Sequence, residues 1–233
     1  MEFNQQTRVL VIAAHPDDEV LGCGGTLAKA IHHGAQVAVC FLGEGVSARF
    51  PFGQYDSEEF RQQSATRIEG SKMALNYLGI TDITFNFERK ACQFDTIPMI
   101  TIVKEIEKHM ERFQPDILLT HHKNDVNLDH GLTYKAVETA CRPTGKKNPK
   151  EIYTFEIVCS SNWTFESNFQ PNTFVDISDY WEKKLNAWHR YKGETKPFPF
   201  PRSDTGLETL SQFRGMSVGL KKVEAFQLIR KII

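Results

Sequence analysis

Residues 8–25 read RVLVIAAHPDDEVLGCGG, and the abrupt change of character after Ala14 decides how the chain folds. RVLVIAA is a near-continuous apolar run, the pattern of a strand buried on both faces. QVAVCFL, at residues 36–42, repeats that pattern. Between the two runs, Val20, Leu21, Leu27 and Ile31 recur at helical spacing over residues 19–33, and Gly34 stands where a helix stop belongs. Strand, helix and strand within about thirty residues make a β-α-β unit with parallel strands.

Outward from this unit the alternation continues. A long helix over residues 58–78 ends at Gly79, a short strand covers 83–85, a helix covers 97–113 before Gln114-Pro115, and DILLT is a strand at 116–120. Residues 129–141 read as a helix that Arg142-Pro143 ends, and IYTFEIV at 152–158 reads as a further strand. From about Ser160 onward the chain clusters aromatics and prolines, which reads as a C-terminal elaboration with two or three short helices. The expected fold class is α/β, a Rossmann-like, mostly parallel sheet with helices on both faces, in a single domain over residues 1–233. At 233 residues, 40% hydrophobic and 24% charged, the chain can bury one sizeable core, and no repeat or low-complexity linker divides it.

Composition narrows the partners. With 28 basic against 29 acidic residues the net charge is -1, which gives no electrostatic reason to expect nucleic acid or an anionic membrane surface. Nowhere do the roughly eighteen consecutive apolar residues of a membrane span occur. Cys23, Cys40, Cys92, Cys141 and Cys159 are scattered without a C-x-x-C spacing and read as small buried hydrophobes in a reducing compartment. A cytoplasmic location is the expectation.

The acids after the first strand carry the chemistry. In open parallel sheets ligands bind beyond the carboxyl ends of the strands, where His15-Pro16-Asp17-Asp18-Glu19 lies. Adjacent carboxylates repel one another there unless a cation or a reacting proton sits among them. Capping of the following helix by Asp17 or Asp18 accounts for one acid, or two, but not for the histidine. DILLTHHKNDVNLDH places His121, His122, Asp125, Asp129 and His130 at the end of another strand. Two His/Asp clusters at equivalent edges of one sheet can converge on one ion, because histidine nitrogens and a carboxylate oxygen are what a catalytic zinc uses.

These residues carry a resemblance. His15-Pro16-Asp17-Asp18-Glu19, Asp129-His130, Arg67-Ile68-Glu69 and Leu78-Gly79 are similar to the PIG-L/LmbE-like family of zinc-dependent de-N-acetylases, which remove acetyl groups from N-acetylglucosamine derivatives. The similarity extends through FVDIS at 174–178, Pro201-Arg202-Ser203, Phe213-Arg214-Gly215 and Ala225-Phe226. It implies a metal-dependent hydrolase with His15, Asp18 and His130 as ligands of one zinc, and Asp17 as the general base that activates water. The same His2Asp set accepts Fe2+ or Co2+. It implies that Arg67 contacts the sugar, and it puts Arg202 near the cleft; Glu44, after the second strand, is a further candidate for lining the site. Many relatives carry His-x-x-His where this chain has Asn127-Leu128-Asp129-His130. Asn127 can donate to an oxyanion but cannot act as a general acid, so protonation of the leaving amine falls to Asp17, or to His121 or His122.

Other features have plainer readings. Gly22, Gly24 and Gly25 lie a helical turn past the strand end, too late for a dinucleotide loop, and suit close packing of the helix on the sheet or approach of backbone to the site. His32 and His33 read as a solvated pair near a helix end, and His109 and His189 as surface or interface residues. Trp163, Phe165, Phe169, Trp181, Trp188, Phe198 and Phe200 read as core or subunit interface, with a sugar-cleft wall as the alternative. A non-catalytic sugar-binding protein and another metal-dependent hydrolase, such as a phosphoesterase, stay open beside the deacetylase. A homo-oligomer is compatible with all three.

Overall fold

The computed structural model describes residues 1–86, 88–143, 148–166 and 169–233. Its strands are β1 (Arg8–Ala13), β2 (Gln36–Phe41), β3 (Asp82–Phe85), β4 (Ile117–His121), β5 (Glu151–Phe155), β6 (Thr173–Asp176) and β7 (Val223–Lys231). They form one seven-stranded sheet in the order β3-β2-β1-β4-β5-β7-β6. The first five strands pair in parallel, and β7 runs antiparallel to both β5 and β6.

Because β1 and β4 are immediate neighbours while the chain proceeds from β1 outward to β2 and β3, the order reverses between them. That reversal opens a crevice at the carboxyl ends of β1 and β4, where α/β sheets bind ligands.

Alternate residues of each buried strand feed two cores. Val9, Val11 and Ala13 pack with α1 (Asp18–His32), α2 (Glu58–Leu78) and α5 (Trp181–Trp188). Leu10, Ile12 and Ala14 pack on the other face with α3 (Met99–Phe113) and α4 (Leu128–Ala140). The helix ends follow local chemistry. Ser57 Oγ accepts from the Phe60 amide to cap α2, which closes at Gly79 in the left-handed region with φ +89°. The glycines of α1 permit close packing: a Cβ on Gly22 would lie 2.4 Å from the Phe155 ring.

Two expectations are corrected. The strand expected at 152–158 stops at Phe155, because the Ile157 amide donates to Ser161 Oγ and the chain turns there. The C-terminal segment is not only helical. Besides α5 and α6 (Asp204–Met216) it supplies β6 and β7, which complete the sheet as an antiparallel edge. No helix among the described residues is long and apolar enough to cross a membrane.

Candidate active site

The turn between β1 and α1 presents His15, Asp17 and Asp18, and the start of α4, beside the end of β4, presents His130. Asp17 takes φ +108°, a left-handed conformation that a residue with a Cβ holds only when its surroundings impose it. Its amide donates to Glu19 Oε2 at 3.0 Å, and Tyr191 of the C-terminal segment donates its hydroxyl to the other Glu19 oxygen. Burial pushes the Glu19 carboxyl up to about 8, so it is neutral through most of the physiological range.

Potential ligand atoms of His15, Asp18 and His130 all lie within 4.8 Å of one another, and the three residues are buried. Each imidazole is oriented by a carboxylate of its own. His15 Nε2 lies 2.9 Å from Asp129 Oδ2, which leaves Nδ1 facing Asp18 Oδ2 at 3.6 Å. His130 Nδ1 lies 3.1 Å from Asp125 Oδ2, which leaves Nε2 3.4 Å from Asp18 Oδ1. These carboxylates are themselves held. Asp129 accepts the Cys92 and Phe94 amides, and Asp125 accepts the Ser160 and Ser161 hydroxyls. A carboxylate fixing the far nitrogen of a histidine is the usual support of a metal ligand.

The donor set suits a divalent ion. His130 Nε2 is buried and has no hydrogen-bond partner. Burial works against charge on His130, but Asp18 and Asp125 outweigh it and raise the imidazole to about 10. Burial also opposes charge on Asp18, yet His130 and His121 bring its carboxyl well below the usual carboxylate range. The pair is therefore a proton-bearing imidazole against a carboxylate, and an ion would take the place of that proton.

Asp17 stands apart from these three residues. Its Oδ2 is 2.7 Å from Arg67 Nη2 and 2.9 Å from Arg202 Nη1, whereas its Oδ1 is buried without a partner. Burial raises its carboxyl, against the opposing pull of Arg67 and Arg202. Glu194 joins the same network through Arg67, Arg49 and, at 3.8 Å, Arg202.

The remaining candidates fall in different places. Arg67 is buried, with Nε donating to the Pro16 carbonyl and its other nitrogens on Asp17 and Glu194, so its guanidinium holds the Asp17 carboxylate. Arg202 is the more open of the two arginines on Asp17, its side chain 18% exposed. Glu44 is buried, accepting the Val46, Ser47 and Ala91 amides, and organises the loop after β2. Asn127 caps α4, its amide oxygen accepting from the Asp129 amide at 3.0 Å. His121 Nε2 accepts the Ala14 amide, its ring stacks on His130 at 4.0 Å, and burial together with His130 pulls it down to about 4. It is a neutral imidazole at neutral pH, with Nε2 the acceptor and its one N–H on Nδ1, so it is not a cationic acid.

His109 is buried, not a surface residue, because α3 turns it toward Cys40 and Glu105. Glu105 already pairs with Arg89 there, and burial pushes the Cys40 thiol up. Glu19, Tyr191 and Glu194 were not anticipated. For Glu19 the signal was its place in the acidic run; nothing near Tyr191 or Glu194 in the sequence points back to residue 17.

Comparison with known proteins agrees with this architecture. Residues 10–141 match the PIG-L family, described as GlcNAc-PI de-N-acetylase. The chain is 30% identical to an uncharacterized deacetylase of Escherichia coli over 81% of this chain and 92% of that one. It is 26% identical to the diacetylchitobiose deacetylase of Thermococcus kodakarensis, over 97% and 85% of the two chains. The structure of a 4-carboxy-2-hydroxymuconate hydratase from Pseudomonas putida superposes with a TM-score of 0.75, at 20% identity over 98% of each chain, so the fold also hosts a different reaction. On the family match over residues 10–141, the chain belongs to the PIG-L family of de-N-acetylases.

Proposed function

We propose that this protein removes the N-acetyl group from an N-acetylglucosamine-type sugar or glycoconjugate, using one divalent metal ion, zinc in the first instance. One observation carries the reading. His15, Asp18 and His130 converge beside a buried Asp17 whose Oδ1 has no partner. His15 Nδ1, the Asp18 carboxylate and His130 Nε2 would hold the ion. When bound, it supplies Lewis-acid polarisation of the amide carbonyl and makes water a nucleophile near neutral pH.

The chain's own residues do the rest. Arg67 and Arg202 grip Asp17 Oδ2, so the proton of the attacking water goes to Oδ1. Water adds to the amide carbon, the C–N bond breaks, and acetate and a free amine leave. Asp17 returns its proton to the amine nitrogen, since His121 is neutral and bound to backbone. With its amide oxygen in the helix cap, Asn127 meets the oxyanion through its NH2 side. Arg202 reaches the sugar substituents, while Arg67 serves the reaction through Asp17. Five unpaired cysteines suit a reducing, cytoplasmic compartment.

Metal content of the purified protein, measured beside the Asp18→Ala variant, tests the reading. About one ion per chain is expected in the wild type and none in the variant. A wild type that stays metal-free after reconstitution overturns it. Release of acetate and amine in equal amounts from an N-acetylglucosamine substrate separates hydrolysis from hydration of a double bond.

A further inference from the structure

The Pro16–Asp17 peptide, in the turn between β1 and α1, is held at both ends. Its carbonyl accepts from Arg67 Nε at 2.7 Å, and its N–H donates to Glu19 Oε2 at 3.0 Å. The orientation held is the strained one. Asp17 has φ +108° and ψ −27°, a combination that a residue with a Cβ rarely adopts. A half-turn of this one peptide plane would carry φ to about −72°, 180° lower, and with ψ unchanged Asp17 would take the ordinary right-handed conformation in which α1 continues. Such a rotation pivots on the flanking Cα atoms, so the path of the chain is kept and only the two polar groups of the peptide change direction. The carbonyl would leave Arg67, and an N–H would face the guanidinium instead. Arg67 is the residue that ties Asp17 Oδ2, while Oδ1 has no partner.

The C-terminal segment opposes this relaxation. Tyr191 is buried and donates its hydroxyl to Glu19 Oε1, which fixes the carboxyl whose other oxygen takes the Asp17 amide. Three residues on, the Glu194 amide donates to the Tyr191 carbonyl, and the Glu194 carboxylate pairs with Arg67. Helix α2 lets this segment come close. Gly70, one helical turn after Arg67, lies where a Cβ would be 2.9 Å from the Arg190 carbonyl oxygen and 3.3 Å from Tyr191 Cα. One short segment thus secures both ends of the peptide, the N–H through Tyr191 and Glu19 and the carbonyl through Glu194 and Arg67.

We propose that Tyr191 and Glu19 are positioning residues for Asp17. They hold the Pro16–Asp17 peptide in its strained orientation, so that its carbonyl anchors Arg67, and Arg67 in turn presents Asp17 with Oδ2 tied and Oδ1 open. Neither residue touches substrate or ion in this role, and each acts through the peptide and the guanidinium. The inference rests on the deacetylase reading above, in which Asp17 takes the proton of the attacking water.

Tyr191→Phe keeps the buried ring and removes only the hydroxyl, so it tests the clamp without opening a cavity. With N-acetylglucosamine as substrate it should lower kcat about tenfold, leaving KM, metal content and circular dichroism as in the wild type. In the Asp17→Asn background the same change should cost less than about twofold, because the group it serves is gone. Glu19→Gln, whose side-chain oxygen still accepts the Asp17 amide, should retain more turnover than Glu19→Ala. Hydrogen exchange at the Asp17 amide, followed by NMR, reads the clamp without turnover. It should be about tenfold faster in Tyr191→Phe, with the Val11 and Ile12 amides of β1 unchanged. A loss in Tyr191→Phe that persists in the Asp17→Asn background, or that comes with loss of metal, overturns the proposal by placing the effect of Tyr191 elsewhere. Glu19→Gln no better than Glu19→Ala, or exchange at Asp17 that Tyr191→Phe leaves unchanged, overturns it as well. No acetate release by the wild type, with exchange at Asp17 still faster in Tyr191→Phe, instead overturns the deacetylase reading and leaves the clamp standing.

Discussion

The parallel half of the sheet and its antiparallel edge contribute to the site in different ways. At the carboxyl ends of β1 and β4, His15, Asp18 and His130, with the carboxylates that orient the two imidazoles, come from two short stretches of chain, residues 15–18 and 125–130. The C-terminal segment, which carries the β6 and β7 edge, offers none of those three residues. It sends Tyr191 to Glu19, Arg202 to Asp17, and Glu194 to the arginines that hold Asp17. The difference teaches that the His15, Asp18 and His130 cluster is encoded locally, by a strand end and a helix start, while the Asp17 carboxylate is held by Arg67 of α2 together with residues more than 170 positions away.

The sharpest way to break that comparison is at Asp17 itself. Asp17→Asn removes the proposed proton acceptor but none of the proposed ligands, so turnover should fall about 10³-fold, near 4 kcal/mol of barrier, with metal content unchanged. Loss of metal along with activity would show that Asp17 belongs to the ligand half after all. Steady-state kinetics beside elemental analysis checks it.

Next in size is the arginine that joins the halves. Arg67 is buried between Asp17 and Glu194, so Arg67→Ala leaves two buried carboxylates without their shared cation and should cost about 3 kcal/mol of stability. Arg202→Ala should cost less, because Arg202 is partly open to solvent and Arg67 remains on Asp17. Urea midpoints of the two variants decide the order.

Glu194 gives this comparison a pH dependence. Burial opposes its charge, but Arg67 and Arg49 prevail and bring its carboxyl down to about 2 from the ordinary 4.5. The unfolded chain therefore binds the proton more readily than the folded one between those values. The stability Glu194 contributes is whole above pH 4.5 and is lost as pH falls through 2. Its worth is on the order of 2 kcal/mol once solvent screening is allowed for. Glu194→Gln should thus lower the urea midpoint at pH 6 and differ progressively less from wild type toward pH 2. A difference that does not change with pH would mean that the variant acts through packing alone.

What the sequence made legible follows the same division. Buried parallel strands are continuous apolar runs, so β1 and β2 were readable almost to the residue, and the end of α2 was marked by its glycine stop. That HPDDE and Asp129-His130 would meet was readable, because the carboxyl ends of neighbouring strands bring their clusters close. The antiparallel edge was not. β6 is four residues long and only one of them is buried, so its alternation is too short to separate from loop. Arg67 shows the limit for side chains: sequence identified the residue but not its direction, since whether a guanidinium faces sugar or carboxylate depends on Glu194 arriving from the far end of the chain.

The smallest effect lies at Asn127, where the chain departs from the His-x-x-His pattern. Its amide oxygen caps α4 by accepting the Asp129 amide, and Asp129 is the residue that fixes His15. Asn127→Ala removes the cap and should cost about 1 kcal/mol, whereas Asn127→Asp keeps an acceptor in place and should cost little. Both remove the NH2 donor proposed for the oxyanion, so the two roles separate. If Asn127→Asp retains stability but loses turnover as Asn127→Ala does, the asparagine acts on the oxyanion through its nitrogen. If turnover instead follows stability across the pair, Asn127 acts only through the cap, by keeping Asp129 and with it His15 in position.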